Sequence, residues 1–286
     1  MLTQSGTLYV VATPIGNLDD ITIRAVSILK YVDLIAAEDT RHSRILLSHL
    51  GIKTPLKSYH EHNEAESTAF LIERLQQGEN IALISDAGTP LVSDPGYKLI
   101  CAAHEYNIHI VPVPGPSALI SALSVAGLPT DRFIFEGFAP EKQAARIKRL
   151  TSLVEEQKTV IFYETPHRIV EFLKDAVDIF GQDRLAVIAR EMTKRFEVVR
   201  KEPLGKLLDW IEEDTRQQRG EIVVLIQGSK TLTRQTGLGD QMLGVLLKHS
   251  ISVKQAASIV AEITGDRKNE LYNRALQLKH ENKCRK

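Results

Sequence analysis

The sequence is organised around the stretch Ser85-Asp86-Ala87-Gly88-Thr89-Pro90-Leu91-Val92-Ser93-Asp94-Pro95-Gly96. It follows the apolar run Ile81-Ala82-Leu83-Ile84, which is typical of a buried parallel strand, and precedes a helical pattern that begins at Tyr97. Ligands of open α/β sheets bind beyond the carboxyl ends of the strands. Glycines let a main chain approach a ligand closely, and prolines hold it in one shape. The stretch therefore predicts a ligand-binding loop; the alternative is a turn that serves the fold alone.

Composition limits the classes of protein that the chain can belong to. Its 286 residues suggest about two domains, and 25% charged with 43% hydrophobic residues is an ordinary globular balance. Lys plus Arg equals Asp plus Glu, 36 each, so any nucleic-acid-binding face must be local. We expect no membrane span and no signal peptide. Two distant cysteines, Cys101 and Cys284, favour a reducing cytoplasm.

Three further strand–loop–helix units surround the central one. A strand at 7–12 leads into Thr13-Pro14-Ile15-Gly16-Asn17-Leu18, with Asp19 or Asp20 as the expected helix cap. A strand at 33–37 leads into a charged loop, and one at 108–113 leads into Pro114-Gly115-Pro116-Ser117-Ala118. This alternation predicts a mostly parallel sheet. The absence of G-x-G-x-x-G and Walker A loops weakens an NAD or ATP interpretation.

A second sheet is predicted after residue 127, with strands at 133–138, 159–163, 184–189 and 222–226. The helix predicted over 142–156 carries Arg146, Lys148 and Arg149, which we interpret as a solvated basic face. Two of the strands lead into charged clusters, Glu164-Thr165-Pro166-His167-Arg168 and Arg190-Glu191-Met192-Thr193-Lys194-Arg195.

The end of the chain has a different composition. Residues 228–239 form a linker of Ser, Thr, Gln and Gly, and helices are predicted at 253–263 and 271–278. This basic helix pair is a helix-turn-helix or a plain packing pair. We therefore expect three parts: an α/β domain at 1–127, a second α/β domain at 128–228, and a helical tail at 239–286 that binds RNA or dimerises.

The loops taken together resemble those of the tetrapyrrole methylase superfamily, the class III S-adenosylmethionine methyltransferases. The resemblance rests on the first loop, continued through Asp19-Asp20-Ile21-Thr22, on the central stretch, and on Pro114-Gly115-Pro116-Ser117-Ala118. Three more motifs resemble the branch that 2′-O-methylates a cytidine of 16S ribosomal RNA: Glu38-Asp39-Thr40-Arg41, Tyr59-His60-Glu61-His62-Asn63 and Tyr163-Glu164-Thr165-Pro166-His167-Arg168.

The resemblance implies two α/β domains with a cofactor cleft between them, followed by the small helical unit. It also implies a homodimer that uses S-adenosyl-L-methionine and methylates 16S ribosomal RNA, within the small ribosomal subunit, in the cytoplasm. Neither a metal nor a membrane is expected. Carried over motif by motif, the cofactor-binding residues are Ile15, Asp86, Ala87, Thr89, Ser117, Ala118 and Tyr163.

Methylation of a ribose hydroxyl also requires a group that accepts its proton. The strand ends offer Glu38 and, as the favoured catalytic candidates, Asp39, Glu164, Glu191 and Lys194. Phosphates of the RNA would meet Arg41, His167, Arg168 and Arg195. Each of these side chains has an alternative role as a helix cap or in an ion pair. The segment 59–64 is interpreted as a solvated loop and helix cap rather than a metal site.

Two other functions stay open at this point. One is a methyltransferase that acts on a small tetrapyrrole-like molecule. The other is an RNA-binding or assembly module with an inactive transferase fold, against which the intact Asp86, Thr89 and Ser117 argue.

Overall fold

The first sheet contains five strands, four of which belong to the strand–loop–helix units predicted above. The computed structural model describes residues 5–229 and 236–283, so Cys284, Arg285 and Lys286 lie outside the described residues. The strands are β1 (Thr7–Val11), β2 (Leu34–Ala37), β3 (Leu56–Ser58), β4 (Ile81–Ile84) and β5 (His109–Val113). They are parallel and stand in the order β3-β2-β4-β1-β5. The carboxyl ends of β1 and β4, and hence their loops, are therefore adjacent at the centre of one edge.

Helices cover both faces of this sheet. They are α1 (Ile23–Tyr31), α2 (Thr40–His49), α3 (Glu64–Gln76) and α4 (Tyr97–Glu105). Alternate residues of β4 serve opposite faces: Leu83 packs with the core beneath α3 and α4, and Ile84 with the core beneath α1 and α2. Burial on both faces explains why β2 and β4 are continuous apolar runs.

The second sheet is mixed rather than parallel. It consists of β6 (Phe133–Phe138), β7 (Thr159–Glu164), β8 (Leu185–Arg190), β9 (Val198–Pro203) and β10 (Ile222–Ile226), in the order β6-β7-β10-β8-β9. The strand β10 runs antiparallel to β7 and β8, so Ile222 at its start lies opposite Glu164 and Arg190 at their ends. The two charged clusters that follow β7 and β8 therefore reach the same edge.

Each face of the second sheet is covered from a different part of the chain. The helices α6 (Gln143–Ser152), α7 (Ile169–Phe180) and α8 (Leu204–Glu213) pack on one face. The other face is covered by helix α5 (Ala118–Val125), which follows the last strand of the first sheet. Buried Leu119 and Leu123 of α5 pack with Ile161 and Val223 of the second sheet. The predicted boundary at 127/128 lies between the two sheets and stays a prediction.

Two local predictions were wrong in this part of the chain. Helix α1 is capped by Thr22, whose side chain accepts the Ala25 N–H at 3.1 Å; Asp19 and Asp20 lie in a preceding 3-10 turn. Arg146 is not on a solvated face: its side chain is 1% exposed, because α6 packs on α7 and meets Asp175 there.

Two elements were not predicted at all. Strand β9 was missed because Arg200, Lys201 and Glu202 interrupt the apolar residues by which a strand is recognised in a sequence. Charged residues are common on edge strands, and β9 is at the edge of its sheet. The third tail helix, described below, overlaps the expected linker.

The structure divides into two compact units, residues 1–229 and 230–286. The second unit has three described helices, α9 (Thr236–Lys248), α10 (Val253–Thr264) and α11 (Lys268–Lys283). The sequence predicts only the last two, because Gly239 and Gly244 lower the helix propensity of α9. Packing compensates for that, since Leu243 of α9 is fully buried with Val260 and Ala275. Among the described residues, no helix combines the length and apolar character needed to cross a bilayer.

We expect the buried ion pair of α6 and α7 to contribute strongly to stability. Arg146 Nε donates to Asp175 Oδ2 at 2.7 Å, and Gln143 donates to the other carboxylate oxygen at 3.0 Å. Asp175→Ala would leave a buried guanidinium without this partner and lower the free energy of unfolding by about 3–5 kcal/mol. Urea unfolding followed by circular dichroism measures the change.

The matched control for this prediction is Glu171→Ala. Its carboxylate lies 3.6 Å from the same arginine, but its side chain is 70% exposed. We expect a loss below about 1 kcal/mol there. Equal losses for the two variants would contradict the prediction.

Candidate active site

Hydrogen bonds join the three loops that follow β1, β4 and β5. Thr13 N donates to Gly88 O at 2.9 Å, and Gly88 N donates to Thr13 O at 3.0 Å. Thr89 Oγ1 donates to Pro116 O at 3.1 Å, which ties the central loop to the third loop. Gly88 has φ +83°, a conformation that favours glycine, so this crossing point depends on that residue.

The second sheet is attached to these loops at two points. The Tyr163 hydroxyl at the end of β7 accepts the Leu119 N–H of α5 at 3.1 Å. Thr193, in the loop after β8, accepts the Asn17 N–H through its hydroxyl at 3.1 Å. Lys194 lies directly over Gly16, where an added Cβ would be 2.5 Å from Lys194 Cγ. These contacts fix the loop edge of the first sheet against the loop edge of the second.

Backbone strain is concentrated on the same loops. Leu91 and Ser93 of the central loop have φ values of 71° and 69°. Glu191 and Thr193 of the β8 loop have φ values of 52° and 64°. Non-glycine residues in this left-handed region cost free energy and cluster at functional sites. The strain identifies the central and β8 loops as functional rather than connecting segments.

The main cleft opens between the two sheets and has a volume of about 340 Å³. All seven residues predicted to bind the cofactor line it: Ile15, Asp86, Ala87, Thr89, Ser117, Ala118 and Tyr163. Phe138 of β6, which the sequence analysis did not single out, also lines it, as does Glu221 beside β10. The resemblance implies that the loop near Gly220 closes the cleft, and this loop lies there because β10 runs antiparallel and so begins, rather than ends, at this edge.

The main cleft is rich in carboxylates. Burial raises the pKa of Glu38 to about 7, with repulsion from Asp94 and Asp86 adding to the shift. Burial also raises the pKa of Asp94 to about 6, against a hydrogen bond from Ser85 and with repulsion from Asp86. Among the described residues, no Lys, Arg or His forms an ion pair with Glu38. The cleft therefore carries negative charge that its own side chains do not neutralise.

A second cavity of about 240 Å³ adjoins the main cleft. It shares Ile15, Asp86, Ala87 and Glu221 with the main cleft. Its remaining walls come from the loop after β1, the first turns of α2, the end of β4 and Lys194 of the β8 loop: Pro14, Gly16, Leu18, His42, Ser43, Ile45, Leu46, Ile84, Ser85 and Lys194. The two cavities therefore share one wall.

The predicted proton acceptors are engaged with cations or are cations themselves. Lys194 Nζ lies 3.0 Å from Glu191 and 3.2 Å from Glu221. Burial lowers the pKa of Lys194, but these two carboxylates outweigh burial and raise it above its usual value. The Lys194 ammonium is therefore protonated at neutral pH in this arrangement.

The other two carboxylate candidates are paired with arginines. Asp39 hydrogen bonds with Arg41, which lowers the pKa of Asp39 to about 2. Glu164 is buried and lies 3.3 Å from Arg168. Burial raises the pKa of Glu164, although the Thr165 N–H and Arg168 oppose the shift.

The predicted phosphate-binding residues differ in how freely they can move. The Arg41 side chain is 88% exposed, and His167 and Arg195 are also exposed. Arg168 is less free, since it donates to both the Ala139 carbonyl and Glu164. The histidine-rich segment gives an edge-to-face contact of His60 with His62, and no metal-binding group of three His, Cys, Asp or Glu occurs among the described residues.

Comparison with known proteins places this geometry in a family. The sequence profile described as "Tetrapyrrole (Corrin/Porphyrin) Methylases" matches residues 7–208, and the one described as "RsmI C-terminal HTH domain" matches residues 235–279. A Pseudomonas aeruginosa protein named "Ribosomal RNA small subunit methyltransferase I" is 56% identical over 276 residues, which cover 96% of this chain and 98% of that protein. The chain belongs to the ribosomal RNA small subunit methyltransferase I family of tetrapyrrole methylases.

Other members and fold neighbours agree with this assignment. The Escherichia coli O157:H7 protein of the same name is 48% identical, covering 96% of each chain. Among solved structures, a cobalt precorrin-4 methyltransferase matches with a TM-score of 0.59 and 18% sequence identity, and the match covers 77% of this chain and 94% of that one. A diphthine synthase also matches with a TM-score of 0.59, at 15% sequence identity, and this match covers 78% of this chain and 90% of that one. At these identities the structures show the fold alone. The predicted family, fold class and methyltransferase activity are confirmed.

The raised pKa of Glu38 predicts a stability that depends on pH. Because the folded-state pKa of about 7 exceeds the ordinary value of 4.5, the folded state holds the proton more tightly, and stability is lost as pH rises through this window. Glu38→Gln removes the titration. We expect it to raise the melting temperature by about 2 °C or more at pH 8 and by less at pH 5. Thermal unfolding at the two pH values measures this, and an equal rise at both would contradict it.

Proposed function

We propose that this methyltransferase uses S-adenosyl-L-methionine to methylate the ribose 2′-hydroxyl of a cytidine in 16S ribosomal RNA. The observation that carries the proposal is identity of about half or more, over nearly the whole chain, to proteins named for a ribosomal RNA small subunit methyltransferase. The enzyme acts as a homodimer on RNA within the small ribosomal subunit, in the cytoplasm.

The residues of the main cleft suit a sulfonium cofactor. A volume of about 340 Å³ lies in the range of small-molecule sites. Ile15, Val92 and Tyr163 offer apolar surface for a purine ring, and Ser117 offers a hydroxyl. The unneutralised carboxylates Glu38 and Asp94 favour a ligand that carries positive charge. A cofactor with a sulfonium and an ammonium group meets that requirement.

The chain's own task in the reaction is to position a hydroxyl and remove its proton. S-adenosyl-L-methionine, when bound, supplies a methyl group already activated on a positively charged sulfur. Ile15, Asp86 and Ala87, at the wall shared by the two cavities, would position the ribose hydroxyl for the transfer.

We assign the proton acceptor to Glu38. Its carboxylate lines the main cleft beside Asp86, and a pKa of about 7 suits a base that works at neutral pH. Asp39, Glu164 and Glu191 are each held by a cation, and Lys194 is itself the cation of its pair. These four candidates stay predictions, ranked below Glu38 by the geometry.

Exposed cations around the cleft would hold the RNA backbone. Arg41, His167 and Arg195 are exposed and can reach phosphates without giving up a buried partner. Arg168 contributes less to binding, because it is held by Glu164 and the Ala139 carbonyl.

The helical tail adds a further RNA-binding surface. Its three helices share an apolar core that includes Leu243 and Val260, while Lys254, Arg267 and Lys268 are exposed. We expect the double variant Lys254→Glu, Arg267→Glu to weaken binding of small ribosomal subunits about tenfold and to reduce its salt dependence. Filter binding at two salt concentrations measures this, with cofactor affinity by calorimetry as the control. Unchanged subunit affinity would contradict an RNA-binding tail.

Methyl transfer to three substrates tests the function. Purified enzyme and radiolabelled S-adenosyl-L-methionine are incubated with small ribosomal subunits from a strain that lacks the modification, with free 16S ribosomal RNA, and with a tetrapyrrole precursor. Label at a cytidine 2′-oxygen of the subunit RNA supports the proposal. Label in the tetrapyrrole alone would contradict the proposed function and support methylation of a small molecule instead. The proposed homodimer is tested separately, by sedimentation equilibrium.

The adjacent carboxylates Glu38 and Asp39 form a matched pair for testing the base. Glu38→Gln should lower the single-turnover rate at saturating substrate by about 100-fold or more, because the ribose proton loses its acceptor. Asp39→Asn should stay within about threefold of the wild type, since Asp39 faces Arg41. The opposite ranking would overturn the assignment of the base.

A further inference from the structure

The second cavity adjoins the main cleft, and apart from Ile15, Asp86 and Ala87 its walls contain none of the predicted cofactor-binding residues. It is bounded by five separate segments, so it is not a groove within one loop. Ile15, Asp86, Ala87 and Glu221 separate it from the main cleft and line both spaces. A molecule held in the second cavity would therefore present an atom to the cofactor across this wall.

The walls of the second cavity are suited to a flat, partly polar ring. Leu18, Ile45, Leu46 and Ile84 supply apolar surface. A volume of about 240 Å³ is of the right order for one nucleoside. Enzymes that modify nucleic acids commonly hold an extruded base between apolar side chains and read its Watson–Crick edge by hydrogen bonds.

The polar groups of the second cavity include a donor and an acceptor that lie next to each other. Lys194 Nζ lies 3.2 Å from Glu221 Oε2, and Glu221 N–H donates to Glu191 Oε1 at 3.0 Å. Lys194 cannot move toward the first loop without contacting Gly16. Cytosine places an amino donor beside a ring-nitrogen acceptor, and uracil places a carbonyl acceptor where that amino group stands. A carboxylate beside an ammonium matches the order in cytosine.

We propose that the second cavity binds the base of the methylated nucleotide, with Glu221 accepting from the cytosine amino group and Lys194 donating to the neighbouring ring nitrogen. The inference rests on the proposed function. With the ribose at the shared wall, the orientation of the ring is set, and the order of donor and acceptor distinguishes cytosine from uracil. Lys194 is then a specificity residue rather than the proton acceptor.

One test alters the apolar wall without touching the main cleft. Ile45 lines only the second cavity and is 64% exposed, so Ile45→Glu should fold. We expect kcat/KM for small ribosomal subunits to fall about tenfold or more while S-adenosyl-L-methionine affinity by calorimetry stays within about twofold. Ile147→Glu is the matched control, since Ile147 is 40% exposed on α6 and lines neither cavity. Equal kcat/KM for the two variants would overturn the proposal.

A second test alters the side chain proposed to recognise the cytosine amino group. Small subunits are reconstituted with cytidine or uridine at the position that the wild-type enzyme methylates. Glu221→Gln exchanges an acceptor for a group that can also donate, so we expect the cytidine-over-uridine preference in single-turnover rate to fall about tenfold or more. The control is Glu213→Gln, an exposed carboxylate at the end of α8. An unchanged preference in Glu221→Gln would overturn the assignment.

A binding measurement separates failure of this inference from failure of the proposed function. Saturation-transfer NMR with free cytidine and free uridine requires no methyl transfer. We expect a stronger signal for cytidine, lost in Ile45→Glu and retained in Ile147→Glu. If the wild type methylates no ribosomal RNA, the proposed function is wrong. If it does so, but neither nucleoside signal depends on Ile45, the second cavity is not the base-binding site.

Discussion

The burial of helix α5 against the second sheet is the constraint on which the rest of the structure depends. The helix follows the last strand of the first sheet, but Leu119, Ala122 and Leu123 pack on strands of the second. Burial of one leucine contributes about 1.5–3 kcal/mol, so this contact is strong enough to fix the two sheets against each other. The loop edges of both sheets then face one another, and the main cleft is the space between them.

The cleft concentrates features that oppose stability. Glu38, Asp86 and Asp94 repel one another, and Leu91 and Ser93 hold left-handed backbone conformations. The paired hydrogen bonds of Thr13 and Gly88 offset part of this cost, because they hold two loops in one arrangement. Such a site is typical of enzymes, in which groups needed for chemistry are kept where they destabilise the folded chain. Glu38 is the clearest instance: burial raises its pKa, and in the mechanism we propose the same shift suits it to accept a proton.

The comparisons separate what the fold provides from what the loops provide. Solved structures at 15–18% identity share the fold with TM-scores of 0.59. The relatives at 48% and 56% identity share the family name as well. A fold hosts many functions, and the choice among them lies in particular side chains. We propose that in this chain those side chains lie in the two cavities that share Asp86 and Ala87.

The sequence by itself determined the parallel first sheet, because apolar runs and Gly/Pro loops are local patterns. Through their resemblance to the tetrapyrrole methylases, its motifs also pointed to seven residues that line the cleft. Only the tertiary structure decided the rest. The antiparallel course of β10 brings Glu221 into the site, the packing of α6 on α7 buries Arg146, and the ion pairs determine which carboxylates remain unpaired. Strand direction, burial and the partner of a charge depend on residues distant in the chain, so no local pattern contains them.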